Sequence, residues 1–503
     1  MKSTITAVSD FSIGLVDPRI FGGFAEHLGR CIYEGIYDPG SPLSDEQGYR
    51  KDVIEAVRRL RMPVMRYPGG NFVSCYDWRD GIGPRDKRPA RVDYAWQSLE
   101  TNEFGVDEFI PWCRKVGTEP MMAVNLGTLG TLEAAHLLEY CNLETESEWV
   151  KRRRANTGQE KGYGIKLWCL GNEMDGPWQA GHVPAHEYAL RADAASRMMK
   201  GLDPSIQTIA VGSSARGMKT YLEWDRQVLE HCWETVDYLS AHRYSNNSAN
   251  NSAEYLAEGV EIDRVLTDYA GLLDYVRGVK KSNKRVYLSF DEWNVWYHSH
   301  GQREPKQLWT KAPHLLEDIY NVEDALIAAQ YLNAFIRRAD IVKIACIAQV
   351  VNVIAPIMTR RDGLFLQTIF YPFEMLATHA RGQSLHLSIQ SPTYSAGKHG
   401  QVSVLDASCT LDPQTGRLML SVVNRGIESE QVVEFEILDK NLQRIIFAQQ
   451  IGGTDLKKTN SFDQPDAVVP TSALAELIDR RKLQLKLPPT THAVIVVETS
   501  AKE

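Results

Sequence analysis

Two glutamates stand at the ends of apolar runs. Glu173 closes IKLWCLGNE (165–173), and Glu292 lies near the end of RVYLSFDEWN (285–294). They are 292 − 173 = 119 residues apart, so only a tertiary frame can bring them together. Two carboxyl groups facing each other across a sugar acetal can cleave a glycosidic bond: one protonates the leaving oxygen, and the other attacks or activates water. The acid must hold its proton, which requires a raised pKa, while its partner must be ionised and fixed by donors. Asp291 and Asp175 compete for these roles. A one-residue change of register would present Asp291 in place of Glu292. Asp175, in MDGP, has the surroundings of a turn-forming aspartate.

Other polar groups sit at the ends of similar runs: Glu26 and His27, Arg66 and Asn71, Asn125, Asn172, His242 and Tyr244, Asn294, Gln349 and Asn352. Carboxylate, carboxamide, imidazole, phenol and guanidinium groups together suit a neutral polyhydroxylated ligand, and Glu26 reads as a hydroxyl ligand. Tyr67, Trp78, Trp96, Trp178, Trp293, Trp296 and Trp309 lie close by. Singly each reads as packing. Several after run ends, Trp96 among them, read as walls on which a sugar face stacks. A regular strand would send Asn172 and Glu173 to opposite faces, but GNEMDGP is strand-breaking, and a break after Gly171 turns both inward. Tyr244 is placed to donate to Glu292. A metal set of Glu26, His27, His242 and Glu292 lacks HxH or HExxH spacing, so no metal is expected.

The elements that must position these groups are eight apolar runs, at 21–27, 64–71, 120–127, 165–173, 207–214, 238–245, 285–294 and 342–352, with helical patterns such as 106–117, 186–202 and 322–339 between them. Near-continuous apolar strands fit a parallel sheet covered on both faces. Eight such units predict a (β/α)8 TIM barrel, whose active site collects at the C-terminal strand ends. Seven of the eight runs end in hydrogen-bonding groups. An open doubly wound sheet is the rival, disfavoured because no glycine-rich phosphate loop follows the first run. After about residue 385 short alternating strands predict an all-β sandwich. The first residues also read as strand and can pair with it. The expected division is 1–15 joining the sandwich, 16–380 barrel, and 381–503 sandwich.

Of 503 residues, 64 are acidic and 56 basic, for a net charge of −8; this argues against a nucleic-acid partner. The basic run KRRRANTG (151–158) reads as a solvated helix face or loop. No secretion signal and no membrane span is expected. Eight scattered cysteines form no CxxC pair and read as free thiols in a reducing cytoplasm.

WCLGNEMDGPWQ (168–179), MRYPGGNFVSCYDWRDGIGP (65–84), FDEWNVWY (290–297) and FGGFAEHLGRCIYEGIYDP (21–39) closely resemble the intracellular alpha-L-arabinofuranosidases of glycoside hydrolase family fifty-one, a likeness that runs over essentially the whole chain. The resemblance implies a (β/α)8 barrel with a jelly-roll-like β-sandwich and retention through a covalent arabinosyl-enzyme. It implies Glu173 as general acid/base and Glu292 as nucleophile. Glu26, Arg66, Asn71, Asn172, Tyr244 and Gln349 match residues lining the arabinose subsite, and the strand-end reading adds Trp96 and His242. It further implies exo-action on arabinan, arabinoxylan and their oligosaccharides, no cofactor, and a homohexamer. Where the family usually has glycine after GGNFVS and an acidic residue after Trp, this chain has Cys75 and Arg79, and Arg243 replaces a neutral residue. These positions shape outer subsites, so linkage preference stays open. The rival readings are another barrel glycosidase (endo-glucanase or xylosidase) and a non-catalytic carbohydrate-binding protein.

Overall fold

The computed structural model describes residues 2–300 and 308–501. Eight parallel strands close into a barrel: Gly22–Phe24, Val64–Tyr67, Glu119–Ala123, Leu167–Cys169, Gln207–Ala210, Tyr238–Ser245, Tyr287–Val295 and Val342–Ala348. Each pairs with its sequence neighbour, and the eighth closes on the first through Cys346↔Gly22, Ile347↔Gly23 and Ala348↔Phe24. All eight expected runs are present, most of them shorter than their apolar pattern. The ladder stops where the polar groups begin, so Glu26, Asn71, Glu173 and Gln349 lie just beyond it.

Helices alternate with the strands. Val106–Val116, Ala185–Leu202 and Val322–Arg337 fall within or overlap the helical patterns at 106–117, 186–202 and 322–339; Lys51–Arg59, Thr131–Asn142, Glu223–Cys232, Glu258–Lys280 and Phe370–His379 also lie between or after the strands. The helix Glu148–Thr157 corrects the reading of KRRRANTG. Arg152 and Arg154 pair with surface glutamates, but Arg153 is fully buried. It donates to the carbonyls of Tyr140, Leu143 and Glu160, so it satisfies acceptors left over at the end of Thr131–Asn142.

The β-domain is one ten-stranded sheet curled on itself, with the N-terminal strand Lys2–Leu15 in its interior. That strand runs antiparallel to Gln383–Gln390 and parallel to Gln431–Ile437, and it is the link between them in the strand order. Ile5 and Ala7 enter the sandwich core beside Leu385, Phe435 and Leu485. Strand Thr491–Ala501 is dry on both faces: Ile495 and Val497 face the sandwich core, and Val494 and Val496 join the barrel core. That is why THAVIVV is a continuous apolar run rather than an alternating one. Helix Val322–Arg337, almost wholly buried, lies against the strand Leu405–Asp412, with Asn333 donating to Asp406 at 2.8 Å. All eight cysteines are free. Among the described residues no helix is long and apolar enough to cross a membrane.

Removing residues 2–15 is expected to split the sheet in two. Calorimetry should show loss of the cooperative β-domain transition, or soluble protein should not accumulate. An unchanged melting profile would contradict the interior placement of this strand.

Candidate active site

The fourth barrel strand ends at Cys169, and two backbone reversals follow. Gly171 has φ +101 and Glu173 has φ +42. The second is rare for a residue with a side chain and costs on the order of 1–3 kcal/mol. Together they turn consecutive side chains toward the barrel mouth. Asn172 Oδ1 accepts from Arg66 Nη2 at 2.7 Å. Glu173 Oε1 lies 3.0 Å from His242 Nδ1, and its Oε2 accepts from the Trp178 indole at 2.7 Å.

The seventh strand solves the same problem differently. Against the sixth, its register runs Ser289↔Ser240, then Glu292↔His242; three steps oppose two, which is a β-bulge. The same irregularity faces the eighth strand between Phe290 and Trp293. A bulge re-aims side chains and lets neighbours share a face, so Asp291 and Glu292 both point inward. Asp291 is the deeper of the two. It is fully buried and accepts from Ser240 Oγ and His242 Nε2. Glu292 stands above it. Its Oε1 accepts from Tyr244 Oη at 2.7 Å and its Oε2 from Arg66 Nη1 at 3.0 Å. The sixth strand is regular here, and its alternate residues Ser240, His242 and Tyr244 supply these donors from one face.

One oxygen of Glu173, one of Glu292 and one ring nitrogen of His242 all lie within 4.8 Å of one another. Burial raises the pKa of Glu173, the charge of Glu292 raises it further, and His242 and Trp178 only partly offset this. Burial opposes ionisation of Asp291, yet Arg66, His242 and Ser240 outweigh it and hold its pKa below the usual range. Burial alone would keep His242 neutral. The surrounding Glu292, Asp291 and Glu173 reverse that and push its pKa up to about 10. An imidazolium can donate to the carbonyl-like oxygen of a protonated Glu173, so the two shifts are compatible.

The opposite wall is built on Glu26. Its Oε1 accepts from Phe72 N at 3.0 Å and Trp96 Nε1 at 2.9 Å, and its Oε2 from Gln349 Nε2 at 2.9 Å. Burial pushes its pKa up to about 8, with the Phe72 amide opposing. Gly70 lets the backbone pass this carboxylate: a Cβ there would stand 2.4 Å from Glu26 Oε2. Asn71 meets Asn172 at 3.4 Å, and the Arg66 guanidinium lies 4.4 Å over the Phe24 ring. Glu26, Arg66, Asn71, Trp96, Asn172, Glu173, His242, Tyr244, Glu292 and Gln349 are thus brought together.

Other strand-end groups are not. Asn125 bonds the turn at Gly127 and Thr128. Asn294 bonds the carbonyls of Ala348 and Ile354. Asn352 bonds Arg30 O and Thr359. His27 is enclosed between Glu100 and Tyr67 beside Phe72. Asp175 accepts from Ser214. Trp78 and Trp293 are core residues. Arg79 is clamped by Asp77. Arg243, alternating with His242 and Tyr244, faces outward and pairs with Glu258. Cys75 lines a cavity of about 510 Å³ with Phe72, Tyr76 and Asp93. Sequence reasoning missed Ser240 and Gln179, which bonds Asn172 at 3.3 Å. The alternation in SAHRY was the available signal for Ser240.

Paired glutamates at the C-terminal rim of a (β/α)8 barrel define a barrel glycoside hydrolase. Comparisons narrow the class. A model of the alpha-L-arabinofuranosidase 1 domain matches residues 56–260, and one of the alpha-L-arabinofuranosidase C-terminal domain matches 291–490. The intracellular exo-alpha-(1->5)-L-arabinofuranosidase 1 of Bacillus subtilis is 45% identical over 98% of each chain. An exo-alpha-(1->6)-L-arabinofuranosidase of Bifidobacterium longum is 40% identical over 99% of this chain and 97% of that one. The solved structure of AbfB, a family 51 alpha-L-arabinofuranosidase from Bifidobacterium longum, superposes with a TM-score of 0.94 at 38% identity over 99% of each chain. That of the Thermotoga maritima alpha-L-arabinofuranosidase arabinose complex gives 0.86 at 35%, over 99% of this chain and 100% of that one. The chain belongs to the alpha-L-arabinofuranosidases of glycoside hydrolase family 51.

With a folded-state pKa of about 10 against 6.5 as its ordinary value, His242 contributes stability that is complete below pH 6.5 and lost as pH rises through 10. Nitrogen-15 NMR of labelled histidines, assigned with His242→Gln, should show both ring nitrogens of His242 protonated at pH 8. A neutral ring at pH 8 would contradict the charge assignment.

Proposed function

We propose that the protein is a retaining, exo-acting alpha-L-arabinofuranosidase. It removes non-reducing terminal alpha-L-arabinofuranosyl groups from arabinan, arabinoxylan and derived oligosaccharides by double displacement. The observation that carries this reading is the approach of Glu173 and Glu292 oxygens to within 4.8 Å. Retaining pairs stand about 5–5.5 Å apart, and inverting pairs about 6.5–9.5 Å, to admit a water between them.

The hydrogen bonds support the division of labour. Arg66 and Tyr244 each give Glu292 a donor and give Glu173 none, which favours an ionised Glu292 as nucleophile. The raised pKa of Glu173 favours a proton held for delivery. In the first step a Glu292 oxygen bonds to the anomeric carbon, the bond to the leaving oxygen breaks, and Glu173 gives that oxygen its proton. In the second, Glu173 takes a proton from water, the water oxygen bonds to the anomeric carbon, and Glu292 leaves as carboxylate. Positive charge grows on the ring in each step, and the Glu292 carboxylate stabilises it. Glu26, Asn71, Asn172 and Gln349 hold the sugar hydroxyls, Trp96 walls the pocket, and His242 sets the charge beside the acid.

Two relatives of nearly equal length are named for different linkages, (1->5) and (1->6). Linkage therefore differs among relatives of this length. The reading extends to a division at 1–15, 16–380 and 381–503. It extends also to a cytoplasmic enzyme, on the names of intracellular relatives, and, on family resemblance alone, to a homohexamer.

Assay with para-nitrophenyl alpha-L-arabinofuranoside beside the xylose and glucose analogues should show release from the first. Glu292→Ala should lower turnover at least about 10⁴-fold. Azide should restore Glu173→Ala on this good leaving group and yield the arabinosyl azide of alpha configuration. Recovery of the beta azide would contradict the assignment of roles.

A further inference from the structure

We propose that the mouth of the barrel also binds a divalent transition-metal ion, best Zn2+, through Glu173, His242 and Glu292, and that this ion excludes the sugar. Among the described residues these three form the one group of carboxylate and imidazole ligand atoms close enough to share an ion. His242 Nδ1 lies 3.0 Å from Glu173 Oε1 and 3.6 Å from Glu292 Oε2. Tetrahedral Zn2+, with nitrogen and carboxylate ligands at about 2.0–2.2 Å, spaces its ligand atoms about 3.3–3.5 Å apart. The two spacings from His242 bracket that value, and the two glutamate oxygens, within 4.8 Å of each other, close by at most about 1.5 Å through side-chain rotation to bind one ion.

A second, independent observation concerns the other ring nitrogen. His242 Nε2 lies 3.1 Å from Asp291 Oδ1, and Ser240 bonds that same oxygen. A metal-bound imidazole almost always gives its remaining N–H to a carboxylate or carbonyl, which fixes the tautomer and strengthens the ligand. Here that partner is already in place, and Nδ1 is left as the atom facing the two glutamates. One imidazole and two carboxylates suit Zn2+ better than Mg2+ or Ca2+, which take oxygen ligands. Binding releases two protons to solvent, one from His242 Nδ1 and one from Glu173. Glu173 and Glu292 ligate the ion, Asp291 holds the far ring nitrogen of His242, and Arg66, 3.0 Å from Glu292 Oε2, is the opposing cation and also holds that ligand in place. An ion held by these three atoms fills the gap between the two glutamates. The coordination stands apart from the proposed function; the exclusion of sugar and the effect on turnover rest on that reading.

The test is a titration of metal-free Cys75→Ser protein with Co2+, followed by Zn2+; the substitution removes the half-buried thiol as a rival ligand. One Co2+ per chain should bind with an intense tetrahedral visible spectrum and be displaced by one equivalent of Zn2+. L-Arabinose should weaken binding at least tenfold. His242→Gln and Glu173→Gln should each weaken it more than a hundredfold, and Asp291→Asn about 10–100-fold. If His242→Gln fails to fold, the Glu173→Gln and arabinose arms decide. Zn2+ should inhibit hydrolysis competitively. Equal Co2+ affinity in the glutamine variants, indifference to arabinose, or no binding at millimolar ion would overturn the proposal. Metal binding, lost in Glu173→Gln, by a protein whose metal-free form releases no arabinose would sink the functional reading and leave the coordination standing.

Discussion

A buried imidazolium allows three carboxyl groups to occupy one small volume. Were Glu173 and Glu292 both ionised, their charges, within 4.8 Å of each other, would repel by roughly 3 kcal/mol or more at an effective dielectric of about 20. A hydrogen bond to a charged group offsets about 1.5–3 kcal/mol, and in this cluster the donors to the carboxyl groups include two cations. His242 touches Glu173 and Asp291 and stands 3.6 Å from Glu292. Arg66 adds a second cation on Glu292. With Asp291 and Glu292 ionised, His242 and Arg66 charged and Glu173 protonated, the cluster sums to zero. After the first chemical step Glu173 is a carboxylate and Glu292 a neutral ester, and the sum is still zero. The buried site therefore changes hands on one proton without acquiring net charge, which is what a low-dielectric interior tolerates.

The barrel supplies the rim, but two local departures from regular backbone supply the aim. Left-handed geometry at Gly171 and Glu173 turns two adjacent side chains inward from the fourth strand. The bulge between Phe290 and Trp293 does the same in the seventh. The sixth strand between them is regular, and simple alternation lets it place Ser240, His242 and Tyr244 under and beside both glutamates. Strain at the fourth strand, on the order of 1–3 kcal/mol, is small against the burial energy of the surrounding core. It persists because Arg66, Gln179, His242 and Trp178 hold both turned side chains from several sides.

Much of this was legible in the sequence for physical reasons. Strands buried on both faces leave continuous apolar runs, and the polar residues that end those runs lie at the rim. GNEMDGP announced its own break. FDEWN did not announce a bulge, because no glycine or proline marks it, so Asp291 and Glu292 could be told apart only by geometry. Asn125, Asn294 and Asn352 read as ligands because an amide that binds sugar and one that bonds stray carbonyls have the same sequence signature. Arg243 read as shaping an outer subsite, yet the alternation that turns its neighbours inward turns it out toward Glu258. Buried Arg153 was hidden inside a basic run whose other members are solvated.

The central claim is that Glu292, and not either neighbouring carboxylate, bonds to the sugar. Incubation with an arabinofuranoside carrying fluorine at C2 and a good leaving group slows both steps. Peptide mass spectrometry of the inactivated enzyme then locates the attachment. The account predicts one arabinosyl unit per chain on Glu292. Attachment to Asp291 or Glu173, or turnover with no covalent adduct, would contradict it.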